Sequence, residues 1–410
     1  MPSLSDRLKS LGVKVGAAGL THSPKRKYPI ESLLDGQLLE SPYGETFVVE
    51  TFYPHDHRQG SVKLTFSAPL EMISAWAHDE RIASTPPEAF AYLDTETTGL
   101  ATGSGTYAFL VGVARFESDG FRLAQFFLRD PAEEPALLAA LNEFLAPAET
   151  LVTFNGKAFD VPLLEARYIT NAAPSPLGGI AHIDMLHLAR RIWSNRLPSR
   201  TLLYLEEHIL GATRAEEDVP GWMIPGLYFD FIRSGDARPL KGVFYHNAMD
   251  ILSMAALTSL AAHMLAEPLN EAVDHPQDLA AIGYLYEDLG LIEKAAGVMQ
   301  AALDKDMSPD IQARTIKRLS ILHRRQGNHD AAISLWWQAA ADRSIFAHEE
   351  LAKHYEHRAH DLPEALRWTQ AALAIINSPE TPRYEHVHWQ APLEHRLARL
   401  ERKIARQESA

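Results

Sequence analysis

The chain has 410 residues, 46% hydrophobic and 22% charged, the balance of a soluble globular protein too long for one core. It contains no cysteine, which excludes disulfides, thiol catalysis and cysteine-based zinc sites and agrees with a cytoplasmic location. The net charge of −14 argues against a general nucleic-acid coat protein, and no 18-residue uncharged apolar run or secretory signal suggests a membrane.

Residues 1–85 are expected to form an N-terminal arm and a short β region. The arm is basic, with Arg7, Lys9, Lys14, Lys25, Arg26 and Lys27 set against Asp6. Residues 45–67 predict two short strands around a turn containing Gly60, with His55 and His57 in the connection. Histidines two apart on a strand face one way and suit a metal; in a loop they are ordinarily solvated.

Residues 86–265 alternate strands with helices. FAYLD, TYAFLVGVARF and FRLAQFFLRD read as three strands, the second after GSG at 103–105 and the third after the turn SDG. Their short connections predict an antiparallel meander. An amphipathic helix in EEPALLAALNEFLA follows, then strand LVTFN, helix DVPLLEARYI, strand GIAHID, the run MLHLARRIW and a last helix near 244–265. This order specifies an α/β mixed sheet with flanking helices. Residues 185–205 carry Arg190, Arg191, Arg196 and Arg200 without an acid, which suits either a solvated face or phosphate contact.

Residues 266–410 lose strand character and repeat. Gly290, Gly327 and His360 align at turns; Ala295, Ala332 and Ala365 follow five residues on, and Ala302, Ala339 and Ala372 seven further. The periods of 37 and 33 residues lie near the 34 of tetratricopeptide helix pairs, predicting an all-α solenoid of that type. Small residues at those positions let helices stack closely, and a helix at about 386–407 is expected to cover the last face. Such an array offers a concave surface to a protein partner. Arg314, Lys317, Arg318, Arg324 and Arg325 on its second repeat suit nucleic acid.

The chemistry concentrates in three motifs. AYLDTETTGL (91–100) ends an apolar strand with Asp94 and Glu96, which share a face because strand side chains alternate. Two anions at that spacing repel unless a cation lies between them, and Mg²⁺ or Mn²⁺ prefers oxygen ligands. The plain alternative is turn chemistry. TFNGKAFDVPLL places Asp160 at a helix start, where an N-cap is the ordinary role. FYHNAMDILSM places His246 and Asp250 one turn apart on one helix face, with Tyr245 turned about 140° from Asp250. Asp184, ending a strand, reads as a cap or supporting hydrogen bond rather than a metal ligand.

These motifs resemble the DEDD superfamily of 3′–5′ exonucleases, which have a ribonuclease-H-like fold, over about residues 90–262. The resemblance implies two ions: Asp94, Glu96 and Asp250 on one, Asp94 and Asp160 on the other. It implies that Thr98, Gly99 and Leu100 lie against the 3′-terminal nucleotide and that Asn155 and Phe159 line the strand's path, with Arg190 and Arg191 added as phosphate contacts. The third motif departs from both common forms, having His at the spacing of the Tyr subgroup. That combination, with TYAFLVGVARF, HIDMLHLARRIW and DVPGWMIPGLY, is similar to the bacterial YprB-like ribonuclease-H-like group. The expectation is a metal-dependent 3′–5′ exonuclease acting on a single-stranded 3′ end of DNA or RNA, with His246 as general base. The alternative is a catalytically weak or inactive nucleic-acid-binding scaffold acting through its repeats. The expected domains are 1–85, 86–265 and 266–410.

Overall fold

The structure is a computed structural model that describes residues 28–65, 67–99, 105–270 and 273–408; the basic arm and Leu100 lie outside the described residues. Of the described residues, those up to Leu188 together with Ser199–Ala262 form one compact unit. Ala189–Pro198 and the residues from His263 onward form a second.

The first unit is built on a seven-stranded sheet. Its strands are β1 (Gln37–Ser41), β2 (Gly44–Pro54), β5 (Phe90–Thr97), β6 (Ala108–Glu117), β7 (Gly120–Phe127), β8 (Thr150–Thr153) and β9 (Ala181–Asp184). They lie in the order β1-β2-β7-β6-β5-β8-β9. The strands from β1 to β5 run antiparallel to their neighbours; β8 and β9 run parallel to β5. The expected meander is present as β5-β6-β7, with Ser118 and Asp119 turning the second hairpin.

One expectation fails at residues 45–67. β2 does not pair with a second strand across Gly60; it pairs with β1 and, through Phe47–Pro54, with β7. The sheet therefore runs beyond residue 86 into the N-terminal region. Gly60 instead turns the two-residue strands β3 (Arg58–Gln59) and β4 (Val62–Lys63), where its φ of +58° and a backbone carbonyl 2.1 Å from any added Cβ require glycine. His55 and His57 make no joint metal site: His55 bonds the Ser118 carbonyl at 2.8 Å, and His57 packs on Tyr53.

The helices of the first unit include α1 (Glu134–Leu145), α2 (Asp160–Thr170), the start of α3 (Met185–Trp193), α4 (Ile224–Ser234) and most of α5 (Leu240–Ala266). Among the described residues α5 is the one helix long and apolar enough to cross a membrane, yet 78% of its most apolar window is buried within the protein. It is a core helix, packed against β6 and β7 through Val243, Phe244 and Ile251. Tyr228 also belongs to this core, stacked on Phe109 with ring centroids 4.1 Å apart and donating to the Leu128 carbonyl. Helices α1 and α2 are joined by a buried ion pair: Arg167 Nε and Nη2 donate to Glu134 at 2.6 and 2.5 Å.

Among the described residues the second unit holds the ends of α3 and α5 and seven further helices: α6 (Pro276–Asp288), α7 (Ile292–Leu303), α8 (Pro309–Arg325), α9 (His329–Ala341), α10 (Ile345–His357), α11 (Leu362–Ile376) and α12 (Arg383–Glu408). They pair as α6/α7, α8/α9 and α10/α11. The aligned turn residues Gly290, Gly327 and His360 all have positive φ, and the six aligned alanines are all buried. The repeat is thus a repeat of backbone geometry as well as of composition. α12 closes the stack by burying Leu393 and Leu400, while Arg396, Arg399 and Lys403 converge at 2.6–2.8 Å on the buried Glu356.

Removing one member of a buried ion pair leaves the other charge uncompensated. Glu134→Ala should therefore cost about 3–5 kcal/mol in chemical denaturation, whereas the exposed pair Arg233–Asp230 should cost under about 1 kcal/mol on Asp230→Ala.

Candidate active site

The site forms where β5 outruns β8. Pairing with β8 stops at Tyr92, while pairing with β6 continues to Thr97, so Asp94 onward has an open edge. Parallel β5, β8 and β9 end on this side of the sheet, the usual place for a ligand in an α/β fold.

Asp94 is held by a chain of side chains that crosses three strands. It lies opposite Gly112 on β6, which lies opposite Gln125 on β7. A Cβ on residue 112 would fall 2.1 Å from Asn247 Oδ1, so glycine there makes room for Asn247 from α5. Gln125 Nε2 donates to Asn247 Oδ1 at 2.9 Å, which fixes the Asn247 amide so that its Nδ2 donates to Asp94 Oδ2 at 2.8 Å.

Asp160 is the first residue of α2 rather than its cap; Phe159 precedes the helix without a side-chain cap. The freed carboxylate accepts from the Thr95 hydroxyl at 2.5 Å, which ties α2 to β5. Asp184 does the capping in this region, accepting from the amides of Asn155 (2.8 Å), Lys157 (3.2 Å) and Leu186 (3.1 Å). Asn155 has a φ of +67°, and this left-handed residue turns the chain from β8 toward Asp160.

The acids meet electrostatically. Burial, then Asp250 and Asp160, hold the Asp94 carboxyl well above the usual range. Burial, then Asp94, Asp250 and Asp160, do the same to Glu96. Burial pushes Asp160 up to about 6, partly opposed by the Thr95 hydrogen bond. β5, α2 and α5 therefore bring the four predicted acids within each other's fields.

Three residues beyond those motifs, Glu206, Arg214 and Asp218, complete the site. Arg214, nearly buried, donates through Nε to Glu206 at 2.7 Å and through Nη2 to both Glu206 and Asp250 Oδ1. Its Nη1 lies 3.1 Å from His246 Nδ1. Asp218 Oδ1 lies 2.8 Å from the same His246 nitrogen. A nitrogen facing both a donor and a carboxylate cannot satisfy both, and the shorter contact to a charged acceptor favours Nδ1–H donating to Asp218. The Nε2 lone pair is then open, 3.7 Å from Asp250 Oδ2. Tyr245, expected to face away, supports the loop: its hydroxyl accepts from the Ala215 amide at 2.9 Å.

The remaining expected contacts divide. Thr98 and Gly99 follow the acids directly, with Thr98 bridged to Tyr107 at 3.0 Å; Phe159 is 48% exposed beside Asp160. Trp222 is 82% exposed in the loop whose Gly221 approaches His246. Arg190 and Arg191 belong to the second unit, where Arg191 pairs with Asp288 and Arg190 is exposed.

Residues 91–262 match the RNase_H superfamily (RNase_H_2). Over 374 residues the chain is 33% identical to YprB of Bacillus subtilis (strain 168), a protein described as uncharacterized, covering 87% of this chain and 86% of that one. The chain belongs to the YprB family. The family-B DNA polymerase of Pyrobaculum calidifontis is also similar, at 17% identity and a TM-score of 0.33, over 50% of this chain and 29% of the polymerase. The YprB-family chain thus has a ribonuclease-H-like domain, the fold of nucleic-acid-cleaving hydrolases that use divalent metal ions. Among the described residues no three His, Cys, Asp or Glu side chains meet in ready ion-binding geometry. The donor chemistry nevertheless fits a hard divalent ion: oxygen ligands alone, mutually repelling, and supported from behind by Asn247 and Thr95.

A carboxyl whose folded pKa is raised favours folding when protonated. Without metal, the raised Asp160 carboxyl should therefore stabilise the protein below about pH 4 and lose that contribution as pH rises through about 6. For Asp160 the difference is on the order of 2–3 kcal/mol. Thermal unfolding in EDTA should show this loss between about pH 4 and 6, and Asp160→Asn should reduce it. An unchanged slope in the variant would contradict the assignment.

Proposed function

We propose that the protein is a two-metal-ion 3′–5′ exonuclease that hydrolyses phosphodiester bonds at the 3′ end of single-stranded DNA or RNA. The observation that carries this reading is the convergence of Asp94, Glu96, Asp160 and Asp250, in which burial and then the neighbouring acids raise the proton affinity of Asp94 and Glu96. Asp94, Glu96 and Asp250 would hold one Mg²⁺ or Mn²⁺, and Asp94 with Asp160 the second. When bound, such ions supply water activation and neutralise charge on the departing 3′ oxygen.

The chain's own residues do the rest. Asn247, oriented by Gln125, keeps Asp94 from turning away from its neighbours. His246, held through Nδ1 by Asp218, offers Nε2 to take a proton from water. General-base help of this kind is worth about 10²–10⁴ in rate. Thr98, Gly99, Asn155 and Phe159, which adjoin the acids in the chain, would receive the terminal nucleotide, and Trp222, exposed beside the Gly221 that approaches His246, would offer a stacking face.

The contact between Arg214 and Asp250 favours one second reading, a nucleic-acid-binding scaffold with little turnover, because a guanidinium already neutralises an acid assigned to metal. In either case the helical repeats, read as tetratricopeptide-like, would receive a protein partner, in the cytoplasm.

End-labelled single strands with Mg²⁺ or Mn²⁺ separate these readings. The exonuclease shortens strands from the 3′ end, and EDTA, Asp94→Asn or Asp250→Asn abolishes the products. His246→Ala and Asp218→Asn should each lower kcat, about 10²-fold for His246→Ala, with little change in metal affinity. Strand binding without products in Mn²⁺ would support the scaffold instead.

A further inference from the structure

Arg214 is a permanent cation in a place where the proposed reaction needs exchangeable ones. A guanidinium stays protonated under all physiological conditions. Its neighbours are Glu206, Asp218, Asp250 and His246, and its side chain is 8% exposed. Its Nη1 reaches Asp218 Oδ2 at 3.5 Å, and two bonds of different kinds hold Nε and Nη2. Glu206, 1% exposed, takes Nε and Nη2 side by side, the bidentate geometry that fixes a guanidinium plane. Asp250 takes a single contact, from Nη2 to Oδ1. Glu206 thus anchors the arginine on the turn that precedes it, while Asp250 is a single-point, exchangeable partner.

We propose that Arg214 is a resident counter-cation for Asp250 that is exchanged on loading: divalent metal takes Asp250, and the freed guanidinium edge receives a phosphate oxygen of the nucleic-acid strand. The exchange rests on the exonuclease reading. It conserves charge balance at each stage. Before loading, Arg214 offsets the buried acids from α5 and the Glu206 turn. After loading, the ions offset the acids, and Arg214, still anchored by Glu206, faces an anion. Metal and strand then bind with positive coupling, since each removes a competitor of the other, and that coupling is reciprocal.

The test is Mn²⁺ binding to the full chain, followed by electron paramagnetic resonance, with and without a short phosphorothioate strand that resists cleavage. The charge-neutral double variant Arg214→Met/Glu206→Gln removes the cation together with its anchor and avoids an unpaired buried Glu206. Without strand, the double variant should bind Mn²⁺ at least tenfold tighter than wild type. Strand should tighten Mn²⁺ binding several-fold in wild type and not in the variant. Arg214→Gln, made as a second variant in case the double one folds poorly, should likewise bind Mn²⁺ more tightly. Equal Mn²⁺ affinity in wild type and variants, or equal strand coupling, overturns the exchange while leaving the exonuclease reading standing. Absence of Mn²⁺ binding in every form overturns both.

Discussion

Four carboxylates at the open end of one strand repel one another, and much of the first unit is arranged around that repulsion. Burial makes it stronger, since each anion sits in a medium that screens poorly. The fold tolerates the cost because the acids come from three rigid elements whose positions are fixed elsewhere. β5 lies inside the sheet between β6 and β8, α2 is tied to α1 through Glu134 and Arg167, and α5 is packed along much of its length. None of the three can relax away from the others without giving up unrelated packing.

The support behind the acids is asymmetric, and the asymmetry has chemical consequences. Asp94 accepts from a neutral amide that is itself oriented by Gln125, so it is positioned without being neutralised. Asp160 accepts from a hydroxyl, again without a change in charge. Asp250 alone meets a full positive charge. A site built this way keeps three of its anions available to an external cation and holds the fourth in reserve.

Much of this was legible in the sequence because it has a period or a fixed spacing. Alternation in a strand puts Asp94 beside Glu96, and helical spacing puts His246 beside Asp250. The turn residues and alanines of the repeats recur in register and prove to share positive φ and burial. What was missed depends on contacts between distant residues. Gly112 is an unremarked glycine in an apolar strand, and only the sheet register makes it the gap that Asn247 fills. Asn247 stood inside the third motif, but its role needs Gln125 from another strand. Arg214 lies 36 residues from Asp250, in a loop with no periodicity to flag it. β1 and the β2–β7 pairing were missed for a related reason: strand partners are chosen by the sheet edge available, not by proximity along the chain.

The central claim is that these acids exist to hold divalent cations, and metal stoichiometry tests it most directly. Isothermal titration of the metal-free full chain with Mn²⁺ should reveal two ions per chain, with Asp94→Asn losing both because Asp94 serves each. Wild-type protein that takes up no Mn²⁺, or an Asp94→Asn variant that binds as wild type does, would contradict the account.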